Sequence, residues 1–145
     1  MSRRPRTPEG TRIYAIGDIH GRNDLLGELL TRIGEDDRGR AMVARRVVIH
    51  LGDYVDRGPD SRGVIEHCVT WRHGAFEPIF LLGNHEHIML DFLDGGDVLD
   101  LWTMNGGDAT LRSYGVTAAG ADCRAELAAA LPASHLDFLR RLWMS

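Results

Sequence analysis

Three apolar runs, each closed by a glycine and then a polar side chain, constrain this chain more than any other feature. They read "AIGDIHG" at 15–21, "HLGDYVDRG" at 50–58 and "LLGNHEH" at 81–87, so that Asp18, Asp53 and Asn84 follow the glycines. Successive members of this trio are spaced by about 30–35 residues, the length of one strand–helix unit. Consecutive units of that kind deliver equivalent residues to the same edge of a parallel sheet, and open α/β folds bind ligands just outside the carboxyl ends of their strands. The glycines allow tight turns and close backbone approach there.

The segments between these points have the expected character. "RIYAIG" reads as a strand, and "NDLLGELLTRIGEDD" as a helix with Leu25, Leu26, Leu29, Leu30 and Ile33 at helical spacing, opened by Asn23 or Asp24 as the cap. The order repeats in "RRVVIHLG" with "DSRGVIEHCVTWRHG", and again in "EPIFLLG" with "NHEHIMLDFLDGG". Strand–helix alternation at this pace predicts an α/β layered domain with largely parallel strands. Beyond Gly96 the pattern turns helical: two short helices around Asn105–Gly106–Gly107, then two more separated at Pro132. Residues 1–10, with three arginines and two prolines, read as a disordered basic tail, and residues 11–145 as one domain.

Composition narrows the function classes. A net charge of −4 gives no electrostatic reason to expect a nucleic-acid partner. No apolar stretch approaches the roughly 18 residues of a membrane span, and the basic N-terminus lacks the apolar segment of a signal peptide. Cys68 and Cys123 lie far apart without CxxC spacing, which predicts thiols packed as small hydrophobes in a reducing compartment, hence a cytoplasmic protein. Cys68 also lacks the phosphate-cradling loop of a cysteine phosphatase, since Arg72 follows four residues later.

Two carboxylates, an amide oxygen and His20 converging on one cleft call for a cation. Oxygen donors mixed with imidazole suit manganese, iron or zinc. Asp53 can bridge two ions, Asp18 and His20 can complete the first site, and Asn84 can give the second an oxygen without added charge. Two such metals activate a water and clamp a phosphate oxygen on each ion. Any one of these residues alone would read as a turn residue or helix cap. Three in register reverse that balance.

"GDIHG", "GDYVDRG" and "GNHE" resemble the three successive signatures of the phosphoprotein phosphatase (PPP) family, within the calcineurin-like metallophosphoesterase superfamily, and "WTMNGGDATLRSYG" resembles a segment of its bacterial members. The resemblance implies a serine/threonine phosphatase fold, a β-sandwich flanked by helices, with two divalent ions, manganese foremost. By that resemblance Asp18, His20 and Asp53 hold the first metal, and Asp53 and Asn84 belong to the second. His85 looks like the general acid, Asp56 the carboxylate that orients it, and Arg57 the phosphate-binding arginine. Glu86 is expected to support the loop. Asn105 matches a substrate-side position, which a helix-breaking turn explains equally well. His50 reads as a satisfied core or edge histidine, His87 as a packing residue, and His67, His73 and His135 as histidines without evident partners.

The family's later histidine motifs, which supply the remaining ligands of the second metal, do not occur in these 145 residues. The chain therefore resembles an N-terminal portion of a phosphatase, incomplete at its C-terminal end, and self-association through an uncovered sheet is expected. Hydrolysis of phosphoserine or phosphothreonine in a phosphoprotein or phosphopeptide is the expected activity. A symmetrical diadenosine tetraphosphate hydrolase is one alternative, and a catalytically inactive metal- or partner-binding fragment is another.

Overall fold

A computed structural model describes residues 6–120 and 122–143. Strands β1 (Thr11–Ile16), β2 (Arg45–His50) and β3 (Glu77–Phe80) alternate with helices α1 (Asn23–Arg38), α2 (Ser61–Thr70) and α3 (Asn84–Leu93). Four further helices follow: α4 (Leu99–Met104), α5 (Gly107–Ser113), α6 (Asp122–Ala130) and α7 (Ala133–Arg140). The three strands form one parallel sheet in the order β1-β2-β3, as three strand–helix units in succession require. The expected element order is present throughout, including the breaks at Asn105–Gly107 and Pro132.

The register brings Tyr14 beside Val48 beside Pro78, and Ile16 beside His50 beside Phe80. From this face Ile16 and Val48 enter the buried cluster with Leu26, Leu30, Val64, Ile65, Met89, Phe92, Trp102, Leu127 and Leu139 from the helices. The opposite face presents Ile13 and Ala15 to solvent and leaves Ile49 and Ile79 half-buried, with Val47 beside Ile13 buried between them. The described residues thus form one sheet with a helical layer; the second sheet of the expected sandwich is not among them. β3 is not wholly an edge: Trp143 donates its N–H to the Phe80 carbonyl at 3.2 Å and accepts from the Leu82 N–H at 2.7 Å, an isolated parallel bridge.

Of the expected basic tail, residues 1–5 lie outside the described range. Pro8 and Gly10 accept hydrogen bonds from the Thr11 and Arg45 N–H groups, at 3.1 Å each. The expected caps of α1 differ: Arg22 stands at the N-cap position without a side-chain cap bond, and Asn23 instead donates to Asp60 at 3.0 Å. Cys68 and Cys123 are free and buried, as expected. Burial is also the cause that pushes the Cys68 thiol well above its ordinary range, which removes it as a nucleophile.

Candidate active site

Each strand ends where its loop must turn sharply over the sheet, and the three loops are tied together by backbone. The Ile19 and His20 N–H groups both donate to the Asp53 carbonyl at 2.9 Å, and Gly21 donates to the Tyr54 carbonyl at 2.8 Å. Gly52 has φ +106, and a Cβ there would lie 2.5 Å from the Gly83 nitrogen, so only glycine lets the β2 and β3 loops approach this closely.

Glu86 is the buried fastener between those loops. Its carboxylate accepts from the backbone N–H groups of Asp53 at 2.9 Å, Tyr54 at 2.8 Å, Val55 at 3.1 Å and Gly83 at 3.1 Å. Desolvation pushes its pKa up to about 7, against the pull of the Val55, Asp53 and Tyr54 N–H groups and with the help of the Asp53 charge. The supporting role expected of Glu86 is present, and it reaches across two loops.

The structure brings His20, Asp53 and His85 together, with one donor atom of each within 4.8 Å of the others. His20 Nδ1 lies 2.8 Å from the Val55 carbonyl, which can only accept; Nδ1 therefore carries the proton and Nε2 presents a lone pair. Asp18 is exposed, with a carboxylate oxygen 3.7 Å from His20 Nε2. Asp53 is half-buried, and its Oδ1 accepts the His85 N–H at 3.2 Å. Asn84 opens α3 with an exposed side chain. Carboxylates and an imidazole lone pair facing one opening suit a hard or borderline divalent ion. Of the clustered residues, His20 and Asp53 could hold it, with the Asp18 carboxylate beside His20.

His85 belongs to the same cluster but is held differently. It is 2 % exposed, and Nδ1 lies 2.7 Å from Oδ2 of Asp56, which is fully buried. Burial raises the pKa of Asp56, while hydrogen bonds from Thr110, His85 and Trp102 oppose that shift. Arg57 spans the opening: Nη1 reaches His20 Nε2 at 2.9 Å and Nη2 reaches His85 Nε2 at 3.1 Å. A guanidinium only donates, so both Nε2 atoms are acceptors here. Among the described residues Arg57 forms no ion pair with Asp56 or Asp60, the bland role a surface arginine would have had.

The remaining histidines fall outside the site. His50 is fully buried against Phe80 and Trp71, with ring centroids at 4.7 and 5.4 Å. Neither of its nitrogens has a hydrogen-bond partner among the described residues, so the expectation of a satisfied histidine is wrong. His67 and His73 do have partners: each other, with Nε2 atoms 3.0 Å apart. His135 is buried between Tyr114 and Glu66, at 2.9 and 2.8 Å, and His87 is exposed rather than packed. Asn105 caps its own helix through the Leu101 carbonyl at 2.7 Å. Sequence reasoning missed Trp102, Thr110 and Ser61 around Asp56. The one available signal was their position within and beside motifs already singled out.

The model of the calcineurin-like phosphoesterase family matches residues 11–139. The chain belongs to that family. This phosphoesterase chain is 32% identical over 120 residues to a serine/threonine-protein phosphatase 1 of Salmonella typhimurium strain LT2, a match covering 83% of the chain and 50% of the relative. It is 39% identical over 74 residues to a symmetrical bis(5'-nucleosyl)-tetraphosphatase of Acidovorax sp. strain JS42, covering 51% of the chain and 23% of the relative. A solved structure described as that of a candidate diadenosine tetraphosphatase superposes with a TM-score of 0.51 at 25% identity, over 90% of this chain and 42% of the other. The phosphoesterase chain thus spans half or less of the length of these relatives.

Proposed function

We propose that the protein hydrolyses phosphate monoesters, with phosphoserine or phosphothreonine in a protein or peptide as substrate. The observation that carries this reading is the buried Asp56–His85 pair, 2.7 Å apart, whose imidazole Nε2 faces the same opening as His20 Nε2, with the Arg57 fork bonded to both. A serine or threonine alkoxide is a poor leaving group and needs a proton at the moment of cleavage. His85 carries that proton at Nε2, while Asp56 holds Nδ1–H and stabilises the imidazolium.

Asp18, His20, Asp53 and Asn84 would hold divalent ions, with manganese our choice, which would supply a nucleophilic water and neutralise charge on the phosphate. Arg57 binds the phosphate. Its planar fork matches two nonbridging oxygens, and a dianion is a better acceptor for it than two neutral imidazoles. Transfer of the fork to phosphate releases both Nε2 atoms for their own tasks.

A second reading, symmetrical hydrolysis of a dinucleoside tetraphosphate, is supported by the similarity to relatives carrying that name. The two differ in the leaving group. A nucleoside diphosphate departs without protonation, so His85→Asn should cut phosphopeptide turnover severely under the first reading and largely spare dinucleotide turnover under the second. Parallel assays with added manganese on a phosphopeptide, an aryl phosphate and a dinucleoside tetraphosphate separate the readings. Metal-stimulated release from none of them would leave the inactive metal- or partner-binding fragment.

The buried free thiols fit a reducing compartment, and we place the protein in the cytoplasm. No helix among the described residues is long and apolar enough to cross a membrane. The open sheet face around Ile13, Ala15, Ile49 and Ile79 would let copies of the 145-residue chain associate. Sedimentation should then give a mass above 16.1 kDa, reduced toward it by Ala15→Glu.

A further inference from the structure

Asp56 has no exposure at all, yet three side chains besides its own backbone contacts are aimed at its carboxylate. His85 takes Oδ2 at 2.7 Å, Thr110 Oγ1 donates to Oδ1 at 2.7 Å, and Trp102 Nε1 divides its one N–H between Oδ1 at 3.1 Å and Oδ2 at 3.0 Å. We propose that Trp102 and Thr110 are positioning residues for acid catalysis, holding the Asp56 carboxylate in the orientation that presents His85 Nε2 to the leaving group. The inference rests on the acid role assigned to His85 above.

The direction of every proton in this cluster can be worked out. A carboxylate only accepts, so the Thr110 hydroxyl spends its single hydrogen on Oδ1. The 2.9 Å contact between Ser61 Oγ and Thr110 Oγ1 must then be donated by Ser61. Both hydroxyls also accept the Asp56 N–H, at 3.1 Å from Ser61 and 2.9 Å from Thr110. The chain Ser61 to Thr110 to Asp56 is thus polarised toward the carboxylate, and the Trp102 N–H, shared by both oxygens, fixes rotation of the carboxylate plane. Only one orientation satisfies Trp102 and Thr110 while leaving Oδ2 for His85.

The placement of these donors in the fold has the same sense. Helices α4 and α5 carry none of the metal or phosphate residues, yet they contribute Trp102 and Thr110. The turn between them is seated on Arg57: the Gly106 carbonyl accepts the Arg57 N–H at 3.0 Å. Gly106 has φ +97, and a Cβ there would lie 2.8 Å from Arg57 Cγ. Asp56 and Arg57 themselves hold φ +73 and +67, which for non-glycine residues requires outside support. The α4–turn–α5 unit provides that support and the donors together.

Trp102 also packs on Phe92, with ring centroids 5.1 Å apart, so a purely structural role is the competing account. The experiment compares Trp102→Phe, Thr110→Val and Thr110→Ser with wild type and His85→Asn, all loaded with manganese, on a phosphoserine peptide and on p-nitrophenyl phosphate. Loss of positioning should cut kcat on the peptide ~10- to 100-fold, part of the ~10²–10⁴-fold that general acid–base catalysis contributes. The loss on the aryl phosphate, whose leaving group needs little protonation, should be several-fold smaller. KM should stay near wild type, and Thr110→Ser should restore the Thr110→Val loss. In metal-free protein the His85 Nδ1 proton, followed by NMR, should move upfield in Trp102→Phe while thermal unfolding remains cooperative. Equal losses on both substrates, or an unmoved Nδ1 proton, overturn the positioning role. A wild type active on neither substrate instead overturns the acid reading itself and the inference with it.

Discussion

Among the described residues, the non-glycine positions with positive φ are His20 at 45°, Asp53 at 55°, Asp56 at 73° and Arg57 at 67°, and all four line the candidate site. Strained backbone of this kind persists only where neighbours over-determine it, and here Glu86, the Gly106 carbonyl and the Asp53 carbonyl are those neighbours. The motif residues were legible because their types and spacing are chemically unusual together. The strain was not, because aspartate and arginine give no sign of a left-handed backbone. Nor were Trp102 and Thr110, which reach Asp56 across 46 and 54 positions of chain. Among the legible residues Arg57 makes the sharpest demand on side-chain shape. Arg57→Lys keeps the charge and loses the fork, and with one charge-assisted hydrogen bond worth about 1.5–3 kcal/mol, kcat/KM should fall ~10- to 100-fold. Steady-state kinetics with the phosphopeptide checks this; an unchanged value would remove Arg57 from phosphate binding.

At the scale of elements, hydrophobic period and turn residues located the three strands and seven helices of the described residues, because each apolar stripe has one partner layer to face. Helix starts were less legible, since a cap depends on where a side chain lands rather than on its type. α2 illustrates this: Asp60 is its N-cap, accepting the Gly63 N–H at 2.8 Å while also holding Asn23 of α1. Gly63 sits in the first turn, where helix propensity alone favours alanine by up to about 1 kcal/mol. A methyl at that position would overlap the Asp60 carboxylate and displace the cap. Loss of a cap costs about 0.5–2 kcal/mol, and the displaced carboxylate also releases Asn23. Gly63→Ala should therefore lower Tm by a few degrees, whereas in an Asp60→Ala background, with nothing to displace, it should raise Tm. A thermal-unfolding double-mutant cycle reads that change of sign, and additive effects would refute it.

Across the whole molecule, the alternation of buried and open positions along the strands shows why the parallel sheet was predictable while its second layer was not: periodicity identifies two faces but not which residues cover each. The helix-covered face contains a buried polar ring without a hydrogen-bond partner among the described residues. His50 stands at the end of β2 among Phe80, Trp71 and Tyr54, and desolvation lowers its pKa to about 4, against an opposing interaction with the Ile79 backbone that falls short of a hydrogen bond and with smaller further lowering from the nearby His67 and His73. The unfolded chain takes up a proton at this residue near its ordinary value of about 6.5. Between about pH 6.5 and 4 the unfolded state thus binds more protons than the folded one, and stability falls as pH falls. The stability is fully present above that window, and His50 alone accounts for a loss of about 3 kcal/mol by its lower end. His67 and His73, both lowered mainly by burial, act in the same direction. Replacing His50 with phenylalanine keeps an aromatic ring in the aromatic surroundings and removes the titration. Urea denaturation of the metal-free protein at pH 7 and pH 4.5 should show wild type losing about 2–3 kcal/mol more than His50→Phe between the two. Carboxylates, Glu86 among them, titrate equally in both proteins and cancel in that difference. Parallel losses in the two proteins would mean that His50 is protonated inside the fold, with a partner that its aromatic neighbours do not provide.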